Sequence, residues 1–99
     1  MIVDFDGEVF LWHARQQQDW FFAGLPEALS ADIREIPRPV RGFGSVRVEA
    51  QIGGSRWRTS IFPDVERGAY VLPLKKSVRE AEGIVDGMTV RVSLDILDA

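Results

Sequence analysis

The chain contains no cysteine and only one histidine, His13. Without thiols there are no disulfides, no thiolate nucleophile and no cysteine-ligated metal. A single imidazole with no partner base, nucleophile or second ligand gives neither a catalytic triad nor a closed zinc site. His13 instead sits beside Trp12 at a strand end, where a surface or interfacial role is expected. No stretch approaches the roughly 20 apolar residues of a membrane-spanning helix, so no membrane partner is expected. Glycines are too sparse for a phosphate loop: Gly42 and Gly44 are not followed by Lys-Ser/Thr. No cofactor is expected on this reading. The opening residues, Met1-Ile-Val-Asp-Phe-Asp, carry acids and lack the apolar core of a signal peptide. The expectation is a cytoplasmic protein.

An excess of positive charge is also lacking. The net charge of −3 over 99 residues repels phosphate in bulk. Its distribution is uneven. Residues 1–37 carry −5, residues 38–58 carry +4 and residues 59–99 carry −2. The middle block is the one basic segment, with Arg38, Arg41, Arg47, Arg56 and Arg58 against Glu49. Length and composition predict one domain over residues 1–99.

What the sequence does contain is a repeated pattern. Trp20-Phe-Phe-Ala-Gly-Leu-Pro26 leads into a helical stretch, then Gly44-Ser-Val-Arg-Val48 and on to Ile52. Gly68-Ala-Tyr-Val-Leu-Pro73 leads into another, then Gly87-Met-Thr-Val-Arg-Val92 and on to Ile96. Both read as strand, Leu-Pro, short helix, glycine, strand. Two such units can pair about a pseudo-twofold axis and close one barrel.

Ile2–Trp12 alternates, with Val3, Phe5, Gly7, Val9 and Leu11 on one face and Asp4, Asp6 and Glu8 on the other. Phe10 and Trp12 interrupt the polar face, so that end is expected to be covered. Alternating carboxylates can hold Ca²⁺ or Mg²⁺. Nothing here supplies a tight ligand loop, and a wet strand face is the expectation, with no metal site. His13–Asp19 reads as a loop and Trp20–Leu25 as a short strand. Pro26 suits the first turn of a helix, since its missing N–H would be unpaired there anyway. Leu29, Ile33 and Ile36 follow at helical spacing. Ser30 is an alternative cap for a shorter helix.

The clearest hairpin joins Val46–Ile52 to Ser55–Ile61 through Gly53-Gly54, which favours a two-residue primed turn. That register pairs Ile52 with Ser55, Ala50 with Trp57, Val48 with Thr59 and Val46 with Ile61. It also sets Glu49 opposite Arg58 on the other face. Phe62–Gly68 reads as turn chemistry and Ala69–Leu72 as a buried strand. Lys75–Glu82 reads as a two-turn helix with Val78 and Ala81 inward, closed by Gly83 in the left-handed conformation. Asp86-Gly87 is a turn before the last strand, with Val90, Val92, Leu94 and Ile96 inward. The fold expected is all-β: a six-stranded closed barrel with two short capping helices, its interior shared by Val46, Val48, Trp57, Val90 and Val92.

Several segments resemble a known family. They are Leu11-Trp12, Trp20-Phe-Phe with Leu25-Pro26, Gly42-Phe-Gly-Ser-Val-Arg-Val48, Ile52-Gly-Gly, Trp57-Arg-Thr-Ser-Ile-Phe-Pro63, Tyr70-Val-Leu-Pro-Leu-Lys75, and Val78-Arg79 with Glu82-Gly83-Ile84. In number and order they are similar to the domain of unknown function 1905 family. The resemblance implies a double-split β-barrel of bacterial type and leaves the biochemical role open. Some members resemble fusions to a domain linked with bacteriocin protection. Gly68–Val92 more loosely resembles the swapped-hairpin half of AbrB-type and MazE-type DNA-binding proteins. It departs from them in the Pro73-to-Gly83 spacing and in Met88, where those families place an acid.

Three functional classes follow. The leading one is a small non-enzymatic module binding an unknown protein or small-molecule ligand, as a monomer or weak homodimer. Its ligand residues are sought among Arg41, Ser45, Thr59, Ser60, Lys75 and Arg79. The alternative is a nucleic-acid-binding regulator of AbrB-like type using Arg38, Arg41, Arg47, Arg56 and Arg58, since arginines on a β-ribbon can track phosphates. The hairpin register already turns Trp57 away from Arg56 and Arg58, which removes it as a base-stacking platform. An enzyme is the third class and is not expected, because no nucleophile–base pair or metal cluster is legible. Tyr70, Lys75 and Ser60 are the residues to suspect if chemistry exists.

Overall fold

The computed structural model describes residues 1–13, 19–37 and 44–97. Its elements in chain order are β1 (Ile2–His13), β2 (Asp19–Gly24), α1 (Glu27–Arg34), β3 (Val46–Ile52), β4 (Ser55–Asp64), β5 (Ala69–Pro73), α2 (Lys76–Glu82) and β6 (Thr89–Ile96). The strands close into one antiparallel barrel in the order β1-β2-β5-β4-β3-β6.

Two long strands make the closure possible. The first part of β1, Ile2–Glu8, pairs with β6, and the second, Glu8–His13, pairs with β2. β4 divides in the same way, with Ser55–Ile61 against β3 and Phe62–Asp64 against β5. Exchanging β1 with β4, β2 with β5 and β3 with β6 reproduces the barrel order, so the two halves are related by an approximate twofold axis.

The repeat is in the structure, but its two Leu-Pro units are not equivalent. Pro26 is the residue before α1, whereas Pro73 is the last residue of β5 and lies opposite Phe22. The backbone equates Leu25 with Leu74 instead. Leu25 donates its N–H to the Tyr70 carbonyl at 3.0 Å, and Leu74 donates to the Phe21 carbonyl at 2.9 Å. Each leucine then precedes its helix by the same two steps.

The β3–β4 register is the expected one, from Val46 opposite Ile61 to Ile52 opposite Ser55. Of its two turn residues only Gly53 has a positive φ, +56°. β4 runs past its expected end because Pro63 does no harm to the pairing. Tyr70, opposite Pro63, sends its carbonyl to Leu25 and its N–H to the Ser30 hydroxyl, so it asks nothing of the proline nitrogen. The turn begins after Asp64, whose Oδ1 accepts N–H bonds from Glu66 at 3.1 Å and Arg67 at 3.4 Å.

Val46, Val48, Trp57, Val90 and Val92 are all buried in one interior with Phe5, Val9, Ile61, Tyr70, Leu72, Leu94 and Ile96. Gly7 is an inner position kept open. A Cβ there would stand 3.1 Å from both the Phe5 ring and the Gly24 carbonyl oxygen. α1 packs on β5 and α2 on β4, adding Ile33 and Val78 to the core. α2 ends at Gly83 with φ +64°, as its sequence predicts. Two expectations are corrected. Ser30 is not a cap but a buried residue inside α1, and Ala81 faces outward, leaving Val78 as the buried residue of α2. With only two turns, α2 has a single row of side chains that can reach β4.

Candidate functional site: an aromatic groove outside the barrel

The barrel faces two ways along every strand, and the outer side of β1, β2, β5 and β4 is unusually apolar. Phe10 lies opposite Phe22, and Trp12 opposite Trp20. Phe22 is in turn opposite Pro73, and Phe62 opposite Val71. These residues share the outer pleat, so pairing makes them one continuous surface. They line a groove of about 520 Å³, completed by the β4–β5 turn with Asp64, Val65 and Glu66. The groove lies where β2 meets β5, on the pseudo-twofold axis.

Its aromatic walls are open to solvent. Trp12 is 56% exposed, Trp20 46% and Phe62 38%. The expectation that this end of β1 is covered therefore fails at Trp12. Phe10 is half-buried, stacked on Phe22 with ring centroids 5.6 Å apart. Its other cover is Arg67, whose guanidinium carbon stands 3.9 Å from the ring centroid. The groove thus combines five aromatic rings with two carboxylates at one rim.

The residues singled out from the sequence lie elsewhere. Arg38 and Arg41 are outside the described residues. Ser45 precedes β3 and is half-buried. Thr59 and Ser60 are neighbours in β4 and so point to opposite faces, Thr59 inward with Trp57 and Ile61, Ser60 outward. Lys75 is exposed just before α2. Arg79 is engaged structurally: it lies 4.0 Å from the Phe21 ring centroid and donates to the Leu74 carbonyl at 3.4 Å. Tyr70, suspected for chemistry, is buried in the core.

The arginines of the β3–β4 hairpin do share a face. Arg47 lies opposite Ser60, Arg58 opposite Glu49 and Arg56 opposite Gln51. Glu49 holds two of them, Arg58 at 3.4 Å and Arg56 at 3.7 Å. On its other side Glu49 is paired with Asp95 of β6, so acid borders the basic patch. On β1, Asp4, Asp6 and Glu8 are exposed, and Asp6 pairs with Arg91 at 3.3 Å. Among the described residues, no three His, Cys, Asp or Glu side chains gather closely enough to hold a metal ion. No helix among them is long and apolar enough to cross a membrane.

One polar contact was not legible. Ser55, at the start of β4, donates to Glu82 at the end of α2 at 2.7 Å, tying the helix to the hairpin tip. The groove itself left one trace in the sequence, Phe10 and Trp12 at positions that the alternation of β1 assigns to the wet face.

No curated protein matches the chain. A family model described as Domain of unknown function (DUF1905) matches residues 5–94, from the inner face of β1 to the inner face of β6. That span takes in β2 to β5, both helices and most of β1 and β6, and the chain belongs to the domain of unknown function 1905 family.

Proposed function

We propose that this protein is a non-enzymatic binding module of the cytoplasm that takes a small molecule with an apolar body in the outer aromatic groove. The observation that carries this reading is the solvent exposure of Trp12, Trp20 and Phe62 around one concavity. Exposed aromatics on a barrel whose interior is filled give up burial that folding would otherwise gain. A volume of about 520 Å³ suits a small molecule, and the lining has the usual character of such sites, mostly apolar with a few polar groups.

The test is titration of ¹⁵N-labelled protein with neutral phenylalkyl alcohols. The indole N–H signals of Trp12 and Trp20 shift, while that of buried Trp57 does not. Trp20→Ala weakens the response. Equal shifts at all three indoles, or none, reject the groove as the site.

The arginine arrangement gives less support to a nucleic-acid-binding regulator. Two of its arginines share Glu49, and the strand beside them carries Asp95. A phosphate track needs unbalanced positive charge along its length.

A further inference from the structure

Resting on the groove reading, we infer that the ligand is an organic cation: an ammonium or guanidinium group carried on an apolar body. Three observations point there. First, the groove's two acidic residues belong to one turn. Asp64 and Glu66 both line the rim formed by the β4–β5 turn, at the edge of the aromatic surface. Asp64 commits its Oδ1 to the turn, which holds the carboxylate in place beside the groove.

Second, the aromatic surface already binds a cation. Arg67 lies on the Phe10 ring at 3.9 Å, within the range where a ring face attracts positive charge. The rings that remain open are Trp12, Trp20 and Phe62, and tryptophan is the strongest of the aromatic partners for a cation.

Third, the groove is of mixed character in the right sense. Phe22, Val71 and Pro73 form an apolar floor, and the acids stand on one side only. A neutral hydrocarbon would use the floor and leave the acids idle. An anion would meet two carboxylates. A cation with an apolar body uses both parts.

The experiment compares three phenylalkyl probes of equal chain length, bearing a trimethylammonium, a hydroxyl or a carboxylate. Binding is followed at the Trp12 and Trp20 indole N–H signals, with Trp57 as internal control. The ammonium binds about tenfold more tightly than the alcohol, the carboxylate binds most weakly, and the difference narrows at high salt. Glu66→Gln, at an exposed turn position, reduces the preference for the ammonium over the alcohol several-fold. If ammonium and alcohol bind alike, or the carboxylate binds best, the cation inference is overturned and the groove remains a site for neutral ligands. If no probe moves either indole, the groove reading falls with it.

Discussion

Leu25 and Leu74 hold each other's half of the barrel in place. Each donates its backbone N–H to the residue four positions before the other, Leu25 to Tyr70 and Leu74 to Phe21. Both side chains are buried and contribute to the same core. Symmetry of this kind predicts symmetry of cost. Leu25→Ala and Leu74→Ala are each expected to destabilise the protein by about 2–5 kcal/mol. Urea unfolding of the two variants checks this, and a large inequality between them would deny the equivalence.

Ser30 supplies a different kind of support. Its hydroxyl is fully buried and accepts the Tyr70 N–H at 2.9 Å. Ser30→Ala leaves that donor without its partner, at a cost of about 1–3 kcal/mol. A helix-surface serine would give almost no change on the same substitution. Equilibrium denaturation distinguishes the two outcomes.

The hairpin tip gives a contrast between adjacent glycines. Gly53 has a positive φ, and a Cβ there would run into the Glu82 carboxylate that accepts from Ser55. Gly54 has nothing within 4 Å of a built Cβ. Gly53→Ala is therefore destabilising by about 1 kcal/mol or more. Gly54→Ala is expected to be much milder. Thermal unfolding of the pair reads the difference directly.

The electrostatics of the hairpin predict an inert face toward nucleic acid. With Glu49 between Arg56 and Arg58, titration of duplex and single-stranded DNA at low salt is expected to show no salt-sensitive binding. The double variant Arg47→Glu with Arg56→Glu is expected to behave as the parent does. Steep salt dependence abolished by those reversals would restore the regulator reading.

The part of the fold most legible in the sequence is the β3–β4 hairpin. Gly53-Gly54 sets the turn, and strict alternation on both sides leaves one register that keeps Ala50, Trp57, Val46 and Ile61 on the same face. The last strand is legible for the same reason. The Leu-Pro repeat misleads because proline has two uses beside a helix. It can stand before the first turn, as Pro26 does, or end a strand, as Pro73 does. Sequence spacing cannot separate these, whereas the backbone bonds of Leu25 and Leu74 do.

The candidate site was harder to read. Periodicity assigns Phe10 and Trp12 to the outer face of β1, but exposure depends on what lies across from them. That is fixed by pairing between β1, β2, β5 and β4, which brings together residues from positions 10 to 73. The polar residues of the matched family segments were easier to see and are dispersed. Thr59 and Ser60 face opposite ways, and Arg79 is held by Phe21.

Closure of the barrel also limits how this molecule can meet another. A sheet with a free margin can recruit a peptide by extending its ladder, with little regard to the peptide's side chains. Here each strand has a neighbour on both flanks along part of its length, so only short stretches of backbone are left for strand addition. On the proposed reading, recognition in the groove works through side chains, which makes it a matter of chemical complementarity and ties selectivity to a handful of rings and acids.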